Sequence, residues 1–247
     1  STPNDLFGSA PSIQAKLGAK NAVAFDLTAA CSGFLFALIT AAQYLRTGTF
    51  KRALVIGADQ LSSFVNWGDR GSCILFGDGA GALAIEACSD SNNLYGFTLK
   101  TDGYRGGFLN LSISDDQEEI IDNINYKKGK YRNITMNGQE VYKFAVREVP
   151  LVIDNLLKQE DYKSSDIDWL LLHQANQRIL DAVGERLNIS KEKVLTNLSN
   201  YGNTSAATIP LMLDESIRNK KVKQNDLIVT SGFGAGLSWG AALFRWG

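Results

Sequence analysis

A single histidine and only three cysteines in 247 residues exclude several kinds of protein at once. Cys31, Cys73 and Cys88 show no CxxC spacing, which argues against a disulfide framework or a cysteine zinc cluster and points to a reducing compartment. Charge of one sign is also missing: 25 Lys and Arg face 26 Asp and Glu, a net charge of −1. No global basic field is therefore offered to nucleic acid or to an anionic membrane. Long hydrophobic runs are absent too. The longest, near residues 29–42, contains Cys31, Ser32, Gly33 and Thr40 and stops at Gln43, short of the roughly 20 residues a membrane span needs. It predicts a buried helix. The Asn-x-Ser/Thr sequons at Asn110, Asn133, Asn188, Asn197 and Asn203 come without a signal peptide and read as composition. The chain begins at Ser1 rather than Met, as a processed or truncated sequence would. The remainder is 45% hydrophobic and 21% charged, a globular balance.

Along the chain, the first half predicts a strand over 22–28, a helix over 32–45, a strand over 53–58 and another over 81–87. Strand, helix, strand suggests a parallel α/β layer. The second half predicts a helix over 139–157 interrupted at Pro150, a strand over 169–172, a helix over 174–187, another over 205–218, and strands over 227–230 and 237–244. Between them, residues 102–135 are rich in Gly, Asp, Asn and Lys and read as a solvated surface excursion. The expected division is therefore 1–101 and 102–247, two halves of similar pattern.

A shared detail supports duplication: "GDGAGALAIEA" at Gly77 and "GFGAGLSWGAALF" at Gly232 both carry Gly-x-Gly-Ala-Gly before a β-rich segment. On this alignment Cys31 and Asn203 open corresponding helices. A dinucleotide-binding loop is the competing reading of "GDGAGA", but such a loop must open a helix, and the residues after Gly81 have the pattern of a strand.

A free cysteine in an apolar segment is ordinarily a small buried hydrophobe, and that reading holds for Cys73 and Cys88. Cys31 differs because it stands where a strand turns into a helix, and unpaired N–H groups at a helix start favour thiolate. His173, in "DWLLLHQANQRIL", repeats that placement, and a nucleophilic cysteine commonly works with a histidine. Asn203, in "NLSNYGNTSAATIP", supplies a third such junction, where turn and N-cap chemistry is the plainer explanation. The three could converge on one pocket.

Taken together, "DLTAACSGF", "FGDGAGA", "HQANQRI", "YGNTSAAT" and "GFGAGLSWGAAL" resemble β-ketoacyl-acyl carrier protein synthase III, a thiolase-fold condensing enzyme, most closely its plastid and cyanobacterial members. The resemblance runs over nearly the whole chain. It implies an α/β fold of two duplicated halves in α-β-α-β-α layers, with the family's first N-terminal strands absent from this sequence. It also places Cys31, His173 and Asn203 on the family's catalytic triad. The implied chemistry begins with transfer of an acetyl group from acetyl-CoA to Cys31, its oxyanion held by the N–H groups of Cys31 and Ala235. Malonyl-acyl carrier protein then loses CO2, and the enolate, stabilised by His173 and Asn203, attacks the acetyl group to give acetoacetyl-acyl carrier protein. No metal or organic cofactor is called for, acetyl-CoA being a substrate. Elongating synthases use two histidines, so a chain with one fits the initiating enzyme.

By the same resemblance, Arg70, Asn176 and Arg178 would contact coenzyme A or the phosphopantetheine arm, Gly138 and Tyr142 would line its tunnel, and Phe233 the acyl pocket. Carrier protein is acidic, so Lys143, Arg147, Arg178 and Arg186 are expected to form a basic patch. A homodimer is expected, with Phe7 the nearest match to a residue the partner lends, in plastid stroma or bacterial cytoplasm. Other readings are a papain-like or caspase-like protease, whose surrounding signatures are missing, a related thiolase-fold or polyketide-type synthase loading another starter, and an inactive truncated form.

Overall fold

The computed structural model describes residues 8–88, 92–114, 116–122 and 124–247. Helix α1 (Ala10–Lys16) leads through an extended stretch to a 3-10 turn (Ala30–Ser32) and helix α2 (Gly33–Arg46). Strands β1 (Arg52–Gln60), β2 (Asp78–Glu86), β3 (Leu94–Thr101), β4 (Leu109–Asn110), β5 (Asp116–Ile121), β6 (Ile124–Lys128) and β7 (Thr135–Met136) come next. Then come α3 (Gly138–Gln159), β8 (Trp169–Leu172), α4 (Gln177–Arg186), α5 (Leu198–Tyr201), a second 3-10 turn (Ser205–Ala207), α6 (Thr208–Arg218), β9 (Leu227–Gly234) and β10 (Ser238–Arg245).

The core is built on strands that are apolar on both faces. Every residue of β9 is buried; Leu227, Val229 and Phe233 join the cluster built with α3 and α4, whereas Ile228 joins the one built with α2 and α6. β8 divides in the same way, Leu170 and Leu172 against Leu171, as the period of two requires. Fully buried side chains such as Ile153, Leu156 and Leu180 each contribute roughly 1.5–3 kcal/mol. The sheet ordered β3-β10-β9-β8 thus lies between two helical layers. Val55 of β1, with Leu83 and Ile85 of β2, packs on the far side of α2 and α6, giving a second, two-stranded sheet. Its outer face is exposed at Leu54, Ala80, Ala82 and Ala84.

Several expectations are corrected. Residues 22–28 are not a strand: a strand needs a ladder partner, none of the described residues supplies one, and Val23 and Phe25 are 68% and 54% exposed. The parallel layer expected around β1 is likewise an antiparallel pair, β1 with β2, and parallel pairing joins β8 to β9. β3, assigned to the first half, pairs with β10, so the chain crosses to the larger sheet upstream of residue 101. α3 runs unbroken through Pro150. The proline removes the N–H that the Val146 carbonyl would accept four residues back, and Arg186 Nη1 of α4 donates to that carbonyl instead, at 2.6 Å.

The described residues of the excursion at 102–135 form a surface feature, closed at its base by β4 pairing with β7 and carrying the β5–β6 pair. Duplication shows as a 3-10 turn, a helix and an antiparallel strand pair in each half, but the two glycine motifs are not equivalent. The first opens β2, where Gly79 and Gly81 let α6 approach through Leu211 and Pro210; the second closes β9 and turns into β10.

Candidate active site

Two turns of the same construction carry the candidate nucleophile and its neighbours. In the first, Ala30 has φ 47 and Cys31 comes next; in the second, Ser205 has φ 53 and Ala206 comes next. Left-handed backbone at a non-glycine residue costs about 1–2 kcal/mol and persists only where surroundings impose it. Each turn is clamped by a strand of the other half. A Cβ on Gly234 of β9 would stand 2.6 Å from the Cys31 nitrogen, and one on Gly57 of β1 would collide with the Ala206 carbonyl. Glycine at both places lets strand backbone and turn meet.

Cys31, His173 and Asn203 are all buried, and Ser205 ties them together. Its hydroxyl donates to Cys31 Sγ at 3.3 Å, and its backbone N–H donates to Asn203 Oδ1 at 2.9 Å. Its carbonyl accepts from the Thr208 hydroxyl at 2.9 Å, and Thr208 Oγ1 lies 2.7 Å from His173 Nδ1. With Oδ1 occupied, the Nδ2 amino group of Asn203 is its remaining donor. The Asn203 backbone is pinned to the 75–77 segment by bonds to the Leu75 carbonyl and from the Gly77 N–H. Beyond β8, the His173 N–H donates to the Ser231 carbonyl of β9, and buried Gln174 donates to the carbonyls of Leu172 and Leu195. Ser205, Thr208 and Asp59, whose Oδ2 accepts from the Ala206 N–H at 2.9 Å, do not stand out in the sequence as site residues. The first two nevertheless lie in the "YGNTSAAT" motif itself.

Burial, not the helix start, dominates the thiol. Desolvation pushes Cys31 up to about 11, with Ser205 pulling the other way and the Asp59 carboxylate adding to the rise; this corrects the expectation of a favoured thiolate. Desolvation also pushes His173 down to about 4, against the opposing pull of Asp59 and the Ser205 carbonyl. Passing the thiol proton to the resting imidazole is therefore uphill, since burial disfavours both of the ions it would create. His173 is a neutral ring at pH 7, suited to donating a hydrogen bond.

The remaining expected residues divide. Gly138 lines a cleft of about 520 Å³ with Asn66, Asp69, Gly71, Ser72 and residues 133–136; Arg70, exposed in a turn, is not among the lining residues but lies in sequence between two of them, Asp69 and Gly71. Tyr142 is half-exposed on α3. Phe233 is buried with its ring edge-on to His173, centroids 5.5 Å apart. Asn176 is half-buried and spends its side-chain oxygen on the Arg178 N–H, as the N-cap of α4. Ala235 sits in the β9–β10 turn next to Gly234 and is not among the residues with positive φ. Three of the four residues expected to form a basic patch have partners within the chain. Lys143 pairs with Glu140 and Arg147 with Glu148, both at 2.7 Å, and Arg186 is bound to the Val146 carbonyl. Arg178 is exposed. Cys88 is exposed rather than buried. Phe7 lies outside the described residues.

Comparison with known proteins now bears on this site. The family model "3-Oxoacyl-[acyl-carrier-protein (ACP)] synthase III" matches residues 25–103, and that of its C-terminal part matches residues 157–246. The chain is 73% identical over all 247 residues to the β-ketoacyl-[acyl-carrier-protein] synthase III of Prochlorococcus marinus strain MIT 9515, of which it spans 74%. It is 68% identical over 246 residues to that of Synechococcus sp. strain WH7803, spanning 73% of it. Among solved structures, the 3-oxoacyl-[acyl-carrier-protein] synthase III of Aquifex aeolicus VF5 superposes with a TM-score of 0.89 at 41% identity, over 99% of this chain and 74% of that one. Sequence and backbone thus agree from α1 to β10, and the chain belongs to the β-ketoacyl-acyl carrier protein synthase III family, the thiolase-fold enzymes that carry out the initiating condensation of fatty acid synthesis.

Proposed function

We propose that Cys31 is the acyl-carrying nucleophile, that His173 and Asn203 stabilise the enolate, and that the chain condenses an acetyl group from acetyl-CoA with malonyl-acyl carrier protein. The observation that carries this reading is the Ser205 junction, through which one buried residue contacts Cys31 and Asn203 directly and His173 through Thr208.

In the loading step Cys31 sulfur attacks the thioester carbon, the acyl–S bond of acetyl-CoA breaks, and the thiol proton leaves with coenzyme A. The N–H groups of Cys31 and Ala235 are the oxyanion donors in this scheme, brought near one another by the clamp at Gly234. In the second step the malonyl C–C bond breaks, CO2 leaves, and the enolate oxygen is held by Asn203 Nδ2 and the His173 ring. For the ring to be that donor, the Thr208 hydroxyl turns from the Ser205 carbonyl to Nδ1, which leaves the ring proton on Nε2. The enolate carbon then bonds to the acetyl carbon, the Cys31 thioester breaks, and the thiolate recovers a proton from solvent. The product is acetoacetyl-acyl carrier protein. The chain's own groups supply this activation.

Gly138 at the cleft, with Arg70, Tyr142, Asn176 and Arg178, makes up the proposed path for the pantetheine arm, and Phe233 the wall beside the acetyl group. Division into two thiolase halves, dimerisation and a bacterial cytoplasmic rather than plastid setting complete the reading, the last favoured by the cyanobacterial relatives. Peptide mass spectrometry after incubation with acetyl-CoA tests it. Acetylation confined to Cys31 and absent from Cys31→Ala is expected; an unmodified Cys31 overturns the loading step.

A further inference from the structure

We propose that Ser205 is a positioning residue for the nucleophile, its hydroxyl orienting Cys31 and stabilising the thiolate by direct donation to Sγ. The inference deepens the role given to Cys31 above and rests on it.

The hydroxyl is placed by two segments, its own turn and β1. Ser205 is 3% exposed and its Oγ lies 3.3 Å from Cys31 Sγ, 174 residues away in sequence. Its left-handed backbone is held on one side by Asn203 Oδ1 on its own N–H. On the other side Asp59 Oδ2 of β1 holds the next N–H, at Ala206, and Gly57 leaves room for the Ala206 carbonyl. Such strain is retained where the surroundings over-determine it. The strained turn presents a neutral donor at the sulfur.

The charged and titratable groups that face Cys31 make that donor necessary. Asp59 on β1 is a carboxylate that works against a second negative charge, and His173 after β8 is held neutral by burial. Neither group favours an anion in the resting site. A hydroxyl gives its hydrogen to the thiolate without adding charge, and a hydrogen bond to a charged group is stronger than one between neutral groups. Loss of the hydroxyl removes the side chain that opposes burial and the Asp59 charge at the sulfur.

The test is the pH dependence of Cys31 alkylation by iodoacetamide, read by peptide mass so that Cys73 and Cys88 serve as internal references. It compares the unaltered protein with Ser205→Ala and Ser205→Gly. Both variants are expected to move the midpoint of Cys31 alkylation upward by about one pH unit and to slow it about three- to tenfold at pH 8. Glycine removes the backbone strain together with the hydroxyl, so equal shifts in the two variants assign the effect to the hydroxyl. A Cys31 profile unmoved in Ser205→Ala, or moved in Ser205→Gly alone, overturns the proposal; if Ser205→Ala does not fold, an unmoved profile in Ser205→Gly overturns it. Normal alkylation with no acetylation by acetyl-CoA in the unaltered protein would instead overturn the loading step, leaving the hydroxyl's effect on Cys31 separately readable.

Discussion

Arg186 on α4 donates to the carbonyl of Val146 on α3 at 2.6 Å, the carbonyl that Pro150 leaves without its helical partner. The contact turns a helix defect into a joint between two helices. Arg186→Ala should lower stability by about 1–3 kcal/mol, the cost of an unsatisfied buried carbonyl. Pro150→Ala restores an N–H four residues after Val146, so the loss from Arg186→Ala should shrink in that background. Urea unfolding of the four proteins gives the coupling. Equal losses in both backgrounds would separate Arg186 from Pro150.

Acid should destabilise the fold through His173. Its folded pKa is pushed down from 6.5 to about 4, so the unfolded chain binds the proton first. The contribution is whole above pH 6.5 and is lost as pH falls towards about 4, to the extent of about 3 kcal/mol. A flatter stability curve over that window is expected of His173→Gln. Parallel curves for the two proteins would mean that the fold leaves the proton affinity of the ring unchanged.

Gly234→Ala should displace the Cys31 turn, since the added carbon would meet the backbone nitrogens of Cys31 and Ser32 at 2.6 and 3.0 Å. A loss of about 1–3 kcal/mol is expected from overpacking, together with at least tenfold slower acetylation of Cys31. Gly107, with nothing within 4 Å of an added carbon, is the control and should change by less than about 0.5 kcal/mol on substitution by Ala. Thermal melts and loading rates of the two variants decide it. Unaltered loading in Gly234→Ala would remove the clamp from the mechanism.

Reversing Lys143 and Arg178 to Glu together should raise the KM for carrier protein several-fold with little change in kcat, because rim charges act mainly on encounter. Arg186 is left out of this test because its change would alter the α3–α4 joint. Steady-state kinetics at low and high salt check it. An unchanged KM at low salt would leave the carrier protein docking elsewhere.

The legible parts of this sequence are those whose cause is local. The run Trp169–Leu172 reads as a strand because it is apolar on both faces, and β8 occupies those four residues. Cys31, His173 and Asn203 stand out because polar residues interrupt apolar segments at turns, and the fold links all three through Ser205. The features that escape reading depend on distant neighbours. Residues 22–28 have a strand's alternation but no partner among the described residues, and Pro150 reads as a break until Arg186 is seen to relieve it. The glycine motifs look alike, yet one admits a helix against a strand and the other admits a strand against a turn. The thiol's protonation escapes for the same reason, since burial is a property of the fold.

The reciprocal clamps at Gly57 and Gly234 mean that neither half owns its own working turn. A strand of the second half fixes the loop that presents Cys31, and a strand of the first fixes the loop that presents Ser205. The ancestral copies could drift apart in chemistry, one keeping a sulfur and the other a hydroxyl, while remaining mechanically interlocked. A chain severed between β5 and β6 should accordingly regain a working site only when both fragments are present together, each acting as the mould for the other.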